Sequence, residues 1–248
     1  HRKILSEKNL ALPKMFGKRP ASPFEVRAFD PLRAKSSPAG EYLPMPSDGS
    51  RPGIFFVNTL DPESRPTYTM RALAYHEALP GHHFQGALAA EMVGRPPFRR
   101  FFYIPAFDEG WALYAEGLGA ELGLYKTPYE ELGRLSYDAQ RGARLVVDTG
   151  IHAKGWSRDQ AVAYFAENTA IPLNEIENEV DRYIAWPGQA LAYKVGELTI
   201  RKIRAKCQAR DGESFDLKAF HDRLLSFGSV PLRVLERLMD ERDEPKED

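Results

Sequence analysis

The sequence predicts a mainly helical protein with a small β element, and three observations support this fold class. Helix-start signals recur along the chain: Thr127 and Pro128 have the pattern of an N-cap followed by a first-turn proline, and residues 157–160 (Ser-Arg-Asp-Gln) form a capping box. Residues 53–58 are the best strand candidate, because turn residues bound a short β-prone run. Helical patterns dominate from Pro66 onward, so helices should form most of the core.

The other elements follow from the same signals. Residues 1–52 are rich in proline, serine and basic residues, so we expect an irregular segment that continues a preceding part of the protein. One helix should end within residues 76–83, and the helix opened by Thr127 should run toward Asp148. A charged tail is expected at residues 241–248. Further helices are predicted at about 190–208, about 215–227 and about 231–241.

Composition limits the partners and the location. The 248 residues have a formal net charge of -1, so no global field would attract nucleic acid or an anionic membrane. The single cysteine cannot form an intramolecular disulfide. No apolar run approaches the roughly 20 residues that span a bilayer. A periplasmic or lipid-anchored location would need an export signal in a preceding portion, and otherwise a cytoplasmic location is expected.

Residues 75–83 (Tyr-His-Glu-Ala-Leu-Pro-Gly-His-His) form the most informative motif. In the usual zincin motif, two histidines four residues apart bind zinc from one helix face, and the glutamate after the first activates a water on the metal. His76 and Glu77 fit the first two positions, but Pro80 stands where the second histidine is expected and cannot ligate. The second ligand must therefore come from further along the chain.

His82 and His83 are the candidates for this second ligand. His83 lies on the same face of an ideal helix as His76, but roughly 10 Å further along its axis. Pro80 and Gly81 favour a kink or bulge that would bring His82 to the required place. We therefore favour His82. In the alternative interpretation, these are ordinary histidines at a helix end, where the helix dipole favours them.

A second motif offers a third ligand. Residues 107–116 place Glu109 and Glu116 seven residues apart on one helix face, amid apolar neighbours such as Trp111. Inward-facing carboxylates need a cation or hydrogen bonds. Glu109 can therefore complete a site of two histidines and one glutamate with an open fourth position, and Glu116 can orient a ligand. A solvated acidic helix face is the alternative.

Three segments resemble the bacterial domain of unknown function 885 family: residues 76–85, 108–116 and 186–194. The resemblance extends from about Gly53 to Leu235, and three motifs in the right order make it specific. The family is grouped with the gluzincin metallopeptidases of the MA clan, and several members look like lipoproteins. The resemblance implies a mainly α, gluzincin-like fold with a small β element near a zinc cleft. The catalytic domain would then span residues 53–240.

The resemblance also implies roles for individual residues. In the gluzincin pattern, two histidines and a downstream glutamate bind zinc, which places His76, His82 and Glu109 as ligands and Glu77 as the general base. Residues 109–112 (Glu-Gly-Trp-Ala) look like the Glu-Gly-Phe-Ala segment that supplies the glutamate in aminopeptidases. Family members are usually longer than this sequence, so a helical N-terminal portion is expected to precede it.

Hydrolysis also needs a donor that stabilises the oxyanion. We predict that Tyr193 or His152 supplies it, because His152 falls at helical spacing from Arg144 and Asp148, and Tyr193 flanks the turn at residues 186–188. Asn58 is expected near the cleft, where residues 53–58 would bind an extended peptide by edge addition. The other candidates for contacts with a ligand or the substrate are Glu116, His83, Arg182 and Tyr183.

These residues predict a zinc metallopeptidase that cleaves short peptides with a zinc-bound water activated by Glu77. Two alternatives stay open: a zinc amidase or esterase that acts on a small metabolite, and a non-catalytic peptide-binding protein on a peptidase scaffold. A structural zinc site is usually closed by four protein ligands, and Glu77 would contribute little to one. The expected cofactor is zinc, and the expected partner is a peptide or a small amide.

Overall fold

The computed structural model describes residues 1–241, and within them the chain forms twelve α-helices and one three-stranded sheet. The prediction of a mainly helical protein with a small β element is confirmed. The strands are β1 (Phe24–Ala28), β2 (Gly40–Leu43) and β3 (Gly53–Val57). The helices are α1 (Arg2–Ala11), α2 (Pro31–Ala34), α3 (Met70–Glu77), α4 (His82–Ala90), α5 (Pro97–Phe101), α6 (Pro105–Glu121), α7 (Pro128–Lys154), α8 (Arg158–Asn168), α9 (Leu173–Ala185), α10 (Gln189–Asp211), α11 (Leu217–Ser226) and α12 (Leu232–Asp240).

The helix-start signals act as the sequence predicts. The Thr127 side chain caps α7 by accepting a hydrogen bond from the Glu130 backbone, and the capping box from Ser157 to Gln160 opens α8. Helix α7 runs beyond the predicted end near Asp148 and ends at Lys154, with Gly155 as its C-cap. Gly155 adopts a left-handed conformation with φ of 69°.

Residues 1–52 are more regular than predicted, and the expectation of an irregular segment is wrong for α1, β1, α2 and β2. Leu5, Leu12 and Phe16 are buried in the same core as Trp111. The strands obtain their regularity from pairing with β3, a contact that local sequence patterns do not reveal. Of the predicted tail 241–248, only Glu241 lies within the described residues.

The strand predicted at residues 53–58 is confirmed as β3, but its predicted role as an edge is wrong. The strand order is β1-β3-β2, with β1 parallel and β2 antiparallel to β3. Because β3 is central, both of its edges are already paired. Asn58 is buried and donates to the carbonyls of Ala34 and Ser37 at 2.8 and 3.0 Å. It fastens a loop and does not line a cleft.

Helix α6 is the structural centre of the molecule, because residues 107–119 are buried without interruption. It packs closely against α10 through Gly110 and Gly196. A Cβ atom on Gly110 would lie 2.4 Å from the Gly196 Cα, so glycine is required at this crossing. Glu109 is thereby held in the interior. Among residues 1–241, no helix is both long and apolar enough to cross a membrane.

Candidate metal centre

The first two candidate ligands lie on either side of a break between two helices. Helix α3 ends at Glu77 and α4 begins at His82, as expected from a distortion at Pro80 and Gly81. A Cβ atom on Gly81 would lie 1.8 Å from the His76 carbonyl oxygen, so only glycine fits. The Trp111 indole donates to the Pro80 carbonyl at 2.7 Å and fastens the break to α6.

The break brings His82 close to His76, with ring centroids 4.8 Å apart and rings almost perpendicular. Glu109 completes the group, and one donor atom from each of the three residues lies within 4.8 Å of the others. Glu109 Oε2 is 3.2 Å from His82 Nε2 and 3.5 Å from His76 Nε2. Ligand atoms about 2.1 Å from a tetrahedral zinc are separated by about 3.4 Å, so these separations fit zinc.

Glu116 determines which nitrogen of His76 is free. Its Oε1 is 2.8 Å from His76 Nδ1, and a carboxylate oxygen accepts a hydrogen bond, so Nδ1 carries the proton. In the neutral ring, Nε2 then has only a lone pair, and it faces the carboxylate oxygen of Glu109. Two acceptors facing each other are repulsive unless a cation lies between them.

Glu109 has its two oxygens in different environments. Oε1 accepts a hydrogen bond from the Tyr103 hydroxyl at 2.8 Å, whereas the buried Oε2 has no hydrogen-bond partner among the described residues. Burial would raise the pKa of Glu109, but His82 and His76 lower it well below its usual value. The residue is therefore an anion whose Oε2 faces the two histidines. Two imidazoles and one carboxylate suit zinc better than calcium or magnesium.

Glu77 is buried beside these three residues without belonging to the ligand group. The backbone N–H of Tyr42, on β2, hydrogen-bonds to its carboxylate. Burial raises the pKa of Glu77, while His76 and His82 oppose this shift. A buried carboxylate with a raised pKa, next to the ligands, can accept and return a proton.

Adjacent histidines at the start of α4 have opposite environments. Burial disfavours a charge on His82, but Glu109 and Glu77 outweigh it and raise the pKa to about 9. His83 points to the sheet: its Nδ1 is 3.0 Å from the Tyr42 hydroxyl and its ring packs against Phe24. Burial lowers the pKa of His83 to about 4. By position, His82 lies in the candidate ligand group with His76 and Glu109, whereas His83 belongs to the packing under the sheet.

Tyr193 lies over the first ligand. Its ring is nearly parallel to that of His76, with centroids 6.1 Å apart, and the Arg144 guanidinium covers it at 4.4 Å. The Gln189 side-chain amide donates to its hydroxyl at 3.2 Å. Burial, reinforced by Glu109, raises the pKa of Tyr193 to about 12, so the phenol keeps its proton at neutral pH.

His152, the other predicted oxyanion donor, lies elsewhere. Its Nε2 is 2.9 Å from the backbone carbonyl of Tyr183, on the last turn of α7 against α9. Among the described residues it has no recorded contact with the three ligands. The prediction for His152 is therefore corrected: helical spacing from Arg144 gave the correct face of α7, but that face meets α9 at this level. Tyr193 is the better candidate.

Arg182 and Tyr183 belong to a second group of buried charges. Glu179 accepts hydrogen bonds from Arg144 at 2.7 Å, from Arg182 at 2.9 Å and from the Tyr183 hydroxyl at 2.5 Å. We call Arg144, Arg182 and Glu179 the arginine-rich cluster. The burial penalty on Glu179 is outweighed by the two arginines, which hold its pKa far below the usual value. Through Arg144, this cluster packs against the Tyr193 ring.

The carboxylate-rich cluster is defined by Glu77, Glu109 and Glu116, and Arg141 lies 3.5 Å from Glu116. Sequence reasoning missed Arg141, and it also missed Tyr103, Gln189 and Tyr42. Tyr103 lies before the start of α6, so helical spacing does not relate it to Glu109. Gln189 lies in the 186–194 motif, four residues before Tyr193, and this spacing was a usable signal.

The fold and the site define a mainly helical protein with a candidate metal centre of two histidines and one glutamate. The chain belongs to a family described as bacterial protein of unknown function (DUF885), whose model matches residues 1–239. The family expected from the sequence motifs is thus confirmed. No curated protein matches the sequence.

Solved structures similar to this chain include two bacterial proteins. One is "the putative lipoprotein from Colwellia psychrerythraea", with 41% identity and a TM-score of 0.94 over 96% of this chain and 41% of the other. The second is "a putative lipoprotein of unknown function from Shewanella oneidensis", with 27% identity and a TM-score of 0.81 over 97% of this chain and 45% of the other. This chain therefore spans less than half the length of each.

Proposed function

We propose that this protein is a zinc-dependent hydrolase that cleaves peptide bonds in short peptides. The observation that carries the proposal is the Glu109 Oε2 atom, which is buried, has no hydrogen-bond partner among the described residues and faces two imidazole nitrogens. Because Glu116 fixes the His76 proton on Nδ1, a cation is the simplest resolution of this arrangement.

His76, His82 and Glu109 would hold the zinc ion, and Tyr103 would keep the second Glu109 oxygen away from it. Zinc in such a three-ligand site supplies Lewis acidity toward a water molecule and a carbonyl oxygen. Glu116 would keep the His76 ring oriented and basic, as carboxylates behind ligating histidines do. A structural site would use a fourth protein ligand, and no such group is among the described residues.

Glu77 would serve as the general base. It takes a proton from the attacking water and passes it to the nitrogen of the leaving amine. The burial of Glu77, which raises its pKa, suits this exchange. Tyr193 would donate its hydroxyl hydrogen to the oxyanion, since its raised pKa of about 12 keeps it protonated.

A peptide substrate is favoured by the position of β2. This strand pairs with β3 on one side only, and the Tyr42 N–H that hydrogen-bonds to Glu77 points to its other side. An extended backbone can add to an outer strand of this kind. A zinc amidase or esterase would use the same chemistry on a smaller substrate. A lipid-anchored location is part of the proposal, because both structural relatives are called putative lipoproteins.

The test is Glu77→Gln in zinc-loaded protein, assayed on a panel of short peptides, acyl amides and esters. The amide is nearly isosteric and cannot take a proton, so turnover should fall by about 10²–10⁴ while the zinc content stays unchanged. His83→Gln is the matched control and should retain turnover. Undiminished hydrolysis by Glu77→Gln would remove the base assignment. Zinc-loaded wild type that hydrolyses nothing in the panel would favour the peptide-binding alternative.

A further inference from the structure

We propose that Gln189 and Arg182 are positioning residues that direct the Tyr193 hydroxyl hydrogen toward the metal centre. The inference rests on the proposed function and assigns to this pair a role that the ligands do not have. Within residues 1–241, neither residue hydrogen-bonds to the three ligands. They act through Tyr193, whose hydroxyl donates one hydrogen bond through its hydrogen and accepts through its oxygen.

The local fold brings the pair together at the turn between two helices. Arg182 lies on the last turn of α9, and Gln189 is the first residue of α10. Residues 186–188 (Trp-Pro-Gly) form the turn, and the Gly188 N–H donates to Asp148 at 3.0 Å, which fastens the turn to α7. Because Gln189 and Tyr193 are four residues apart on α10, their side chains lie on one helix face.

The orientation of the Gln189 amide follows from Arg182. The guanidinium has only donors, so the Gln189 atom that it approaches, at 2.6 Å, must be the carbonyl oxygen Oε1. The amide nitrogen of Gln189 then faces the Tyr193 hydroxyl at 3.2 Å. Since an amide nitrogen donates and does not accept, the Tyr193 oxygen is the acceptor of this bond.

It follows that the Tyr193 hydrogen cannot be given to Gln189 and is free for another acceptor. The tyrosine ring is held by its contacts with the His76 ring, whose centroid is 6.1 Å away, and with the Arg144 guanidinium at 4.4 Å. The remaining freedom is rotation of the hydroxyl, and the Gln189 bond limits it. The hydroxyl hydrogen is thereby oriented in advance to donate to a substrate oxygen on the His76 side, so the hydroxyl does not have to rotate during the reaction.

The pair is itself held rigid. Arg182 donates to Glu179 from Nε at 3.2 Å and from Nη2 at 2.9 Å. Glu179 also accepts a hydrogen bond from Arg144 at 2.7 Å, so the same carboxylate holds the guanidinium that packs on the Tyr193 ring. The arginine-rich cluster therefore determines both where the Tyr193 ring lies and which way its hydroxyl points.

The test is Gln189→Glu, which keeps the shape and still accepts from Arg182. A carboxylate has no donor, so the Tyr193 hydroxyl must donate to it and its hydrogen is withdrawn from the substrate. We expect kcat to fall by about 10²–10³, with KM changed by less than about threefold. Zinc content and the thermal unfolding midpoint should stay close to wild type. Gln189→Met, which removes the bond without reversing it, should lose less.

A double-mutant cycle with Tyr193→Phe separates this role from a merely structural one. Without the hydroxyl, Gln189→Glu should cause no further loss of kcat. The same cycle on the affinity for inorganic phosphate, a tetrahedral anion, gives a readout that needs no turnover. Losses that add in full, or an unchanged kcat in Gln189→Glu, would overturn the inference. If wild type hydrolyses no substrate, the proposed function fails, and the phosphate cycle still tests the pair.

Discussion

The carboxylate-rich and arginine-rich clusters are both buried, but their charges are balanced differently. In the arginine-rich cluster, two arginines surround one carboxylate: Glu179 accepts hydrogen bonds from Arg144 and Arg182, while Arg144 Nη1 has no hydrogen-bond partner among the described residues. In the carboxylate-rich cluster, three glutamates are accompanied by His76 and His82 and by Arg141, which lies 3.5 Å from Glu116. Its Glu109 Oε2 atom lacks a hydrogen-bond partner among the described residues.

The difference indicates which cluster has room for a cation. An excess of buried carboxylates over cations costs several kcal/mol unless something compensates it. Such an arrangement persists where a ligand compensates it or function requires it. We infer that the arginine-rich cluster is a scaffold for Tyr193 and that the carboxylate-rich cluster contains the proposed metal centre.

The largest effect on stability is expected at Glu179. In Glu179→Ala, two arginines lose their shared partner in the interior, and the free energy of unfolding should fall by about 3–5 kcal/mol. Asp181→Ala on the same helix is the control: its ion pair with Arg158 is exposed, so unfolding should hardly change. Urea denaturation measures both. Equal small effects would mean that the arginine-rich cluster contributes no more than a surface pair.

His221 is a buried histidine outside both clusters, and it is the reference for how an imidazole that stays neutral affects the free energy of unfolding. His221 donates from Nδ1 to the Met15 carbonyl at 2.8 Å and lies 2.9 Å from the Tyr114 hydroxyl. Burial lowers its pKa to about 4 from an ordinary value of 6.5. The unfolded state therefore binds more protons between these values. The resulting stabilisation is complete above about pH 6.5 and is lost as the pH falls toward 4.

The expected loss from His221 over this range is about 3 kcal/mol in the free energy of unfolding. Denaturation of wild type and His221→Phe at pH 7 and pH 4.5 measures it. The variant should be less stable at pH 7, because Met15 and Tyr114 lose a partner, but its stability should depend less on pH. An identical pH dependence in both proteins would show that His221 is not the group responsible.

A smaller effect is expected at Glu116, behind His76. Glu116→Gln keeps an acceptor for the His76 Nδ1 proton but removes the charge that makes the ring basic. Zinc affinity should weaken by about 10–100-fold, measured by competition with a chromophoric chelator. Glu121→Gln on the same helix is the control, because Glu121 pairs with Arg204 at the end of α6, away from the candidate metal centre. Equal affinities for wild type and Glu116→Gln would contradict the role of Glu116.

Much of the candidate site was predictable because its determinants are local in sequence. Pro80 and Gly81 indicated a break that favours His82, and the seven-residue spacing placed Glu109 and Glu116 on one helix face. Tyr103 and Arg141 depend on how separate elements pack, which no spacing reveals, whereas Gln189 lies one helical turn before Tyr193 and was overlooked. The same limit explains the misplacement of His152, because spacing gave its helix face but not the fact that this face packs against α9.

The fold shows the same division between local and distant determinants. Capping at Thr127 and Ser157 gave the starts of α7 and α8, because a cap acts within one turn. Strands β1 and β2 were missed since each pairs with a partner distant along the chain. The edge role given to residues 53–58 failed for this reason: strand order is a property of the sheet, and the local sequence of a strand does not contain it.

The most direct test of the account is the zinc content of the protein, purified without a chelator or a histidine tag. Wild type, His82→Ala and His83→Ala should be compared by elemental analysis after equal exposure to zinc. The account predicts about one zinc per chain in wild type and in His83→Ala, and none retained in His82→Ala. Wild type without zinc after reconstitution, or zinc lost from His83→Ala instead, would contradict the proposed metal centre.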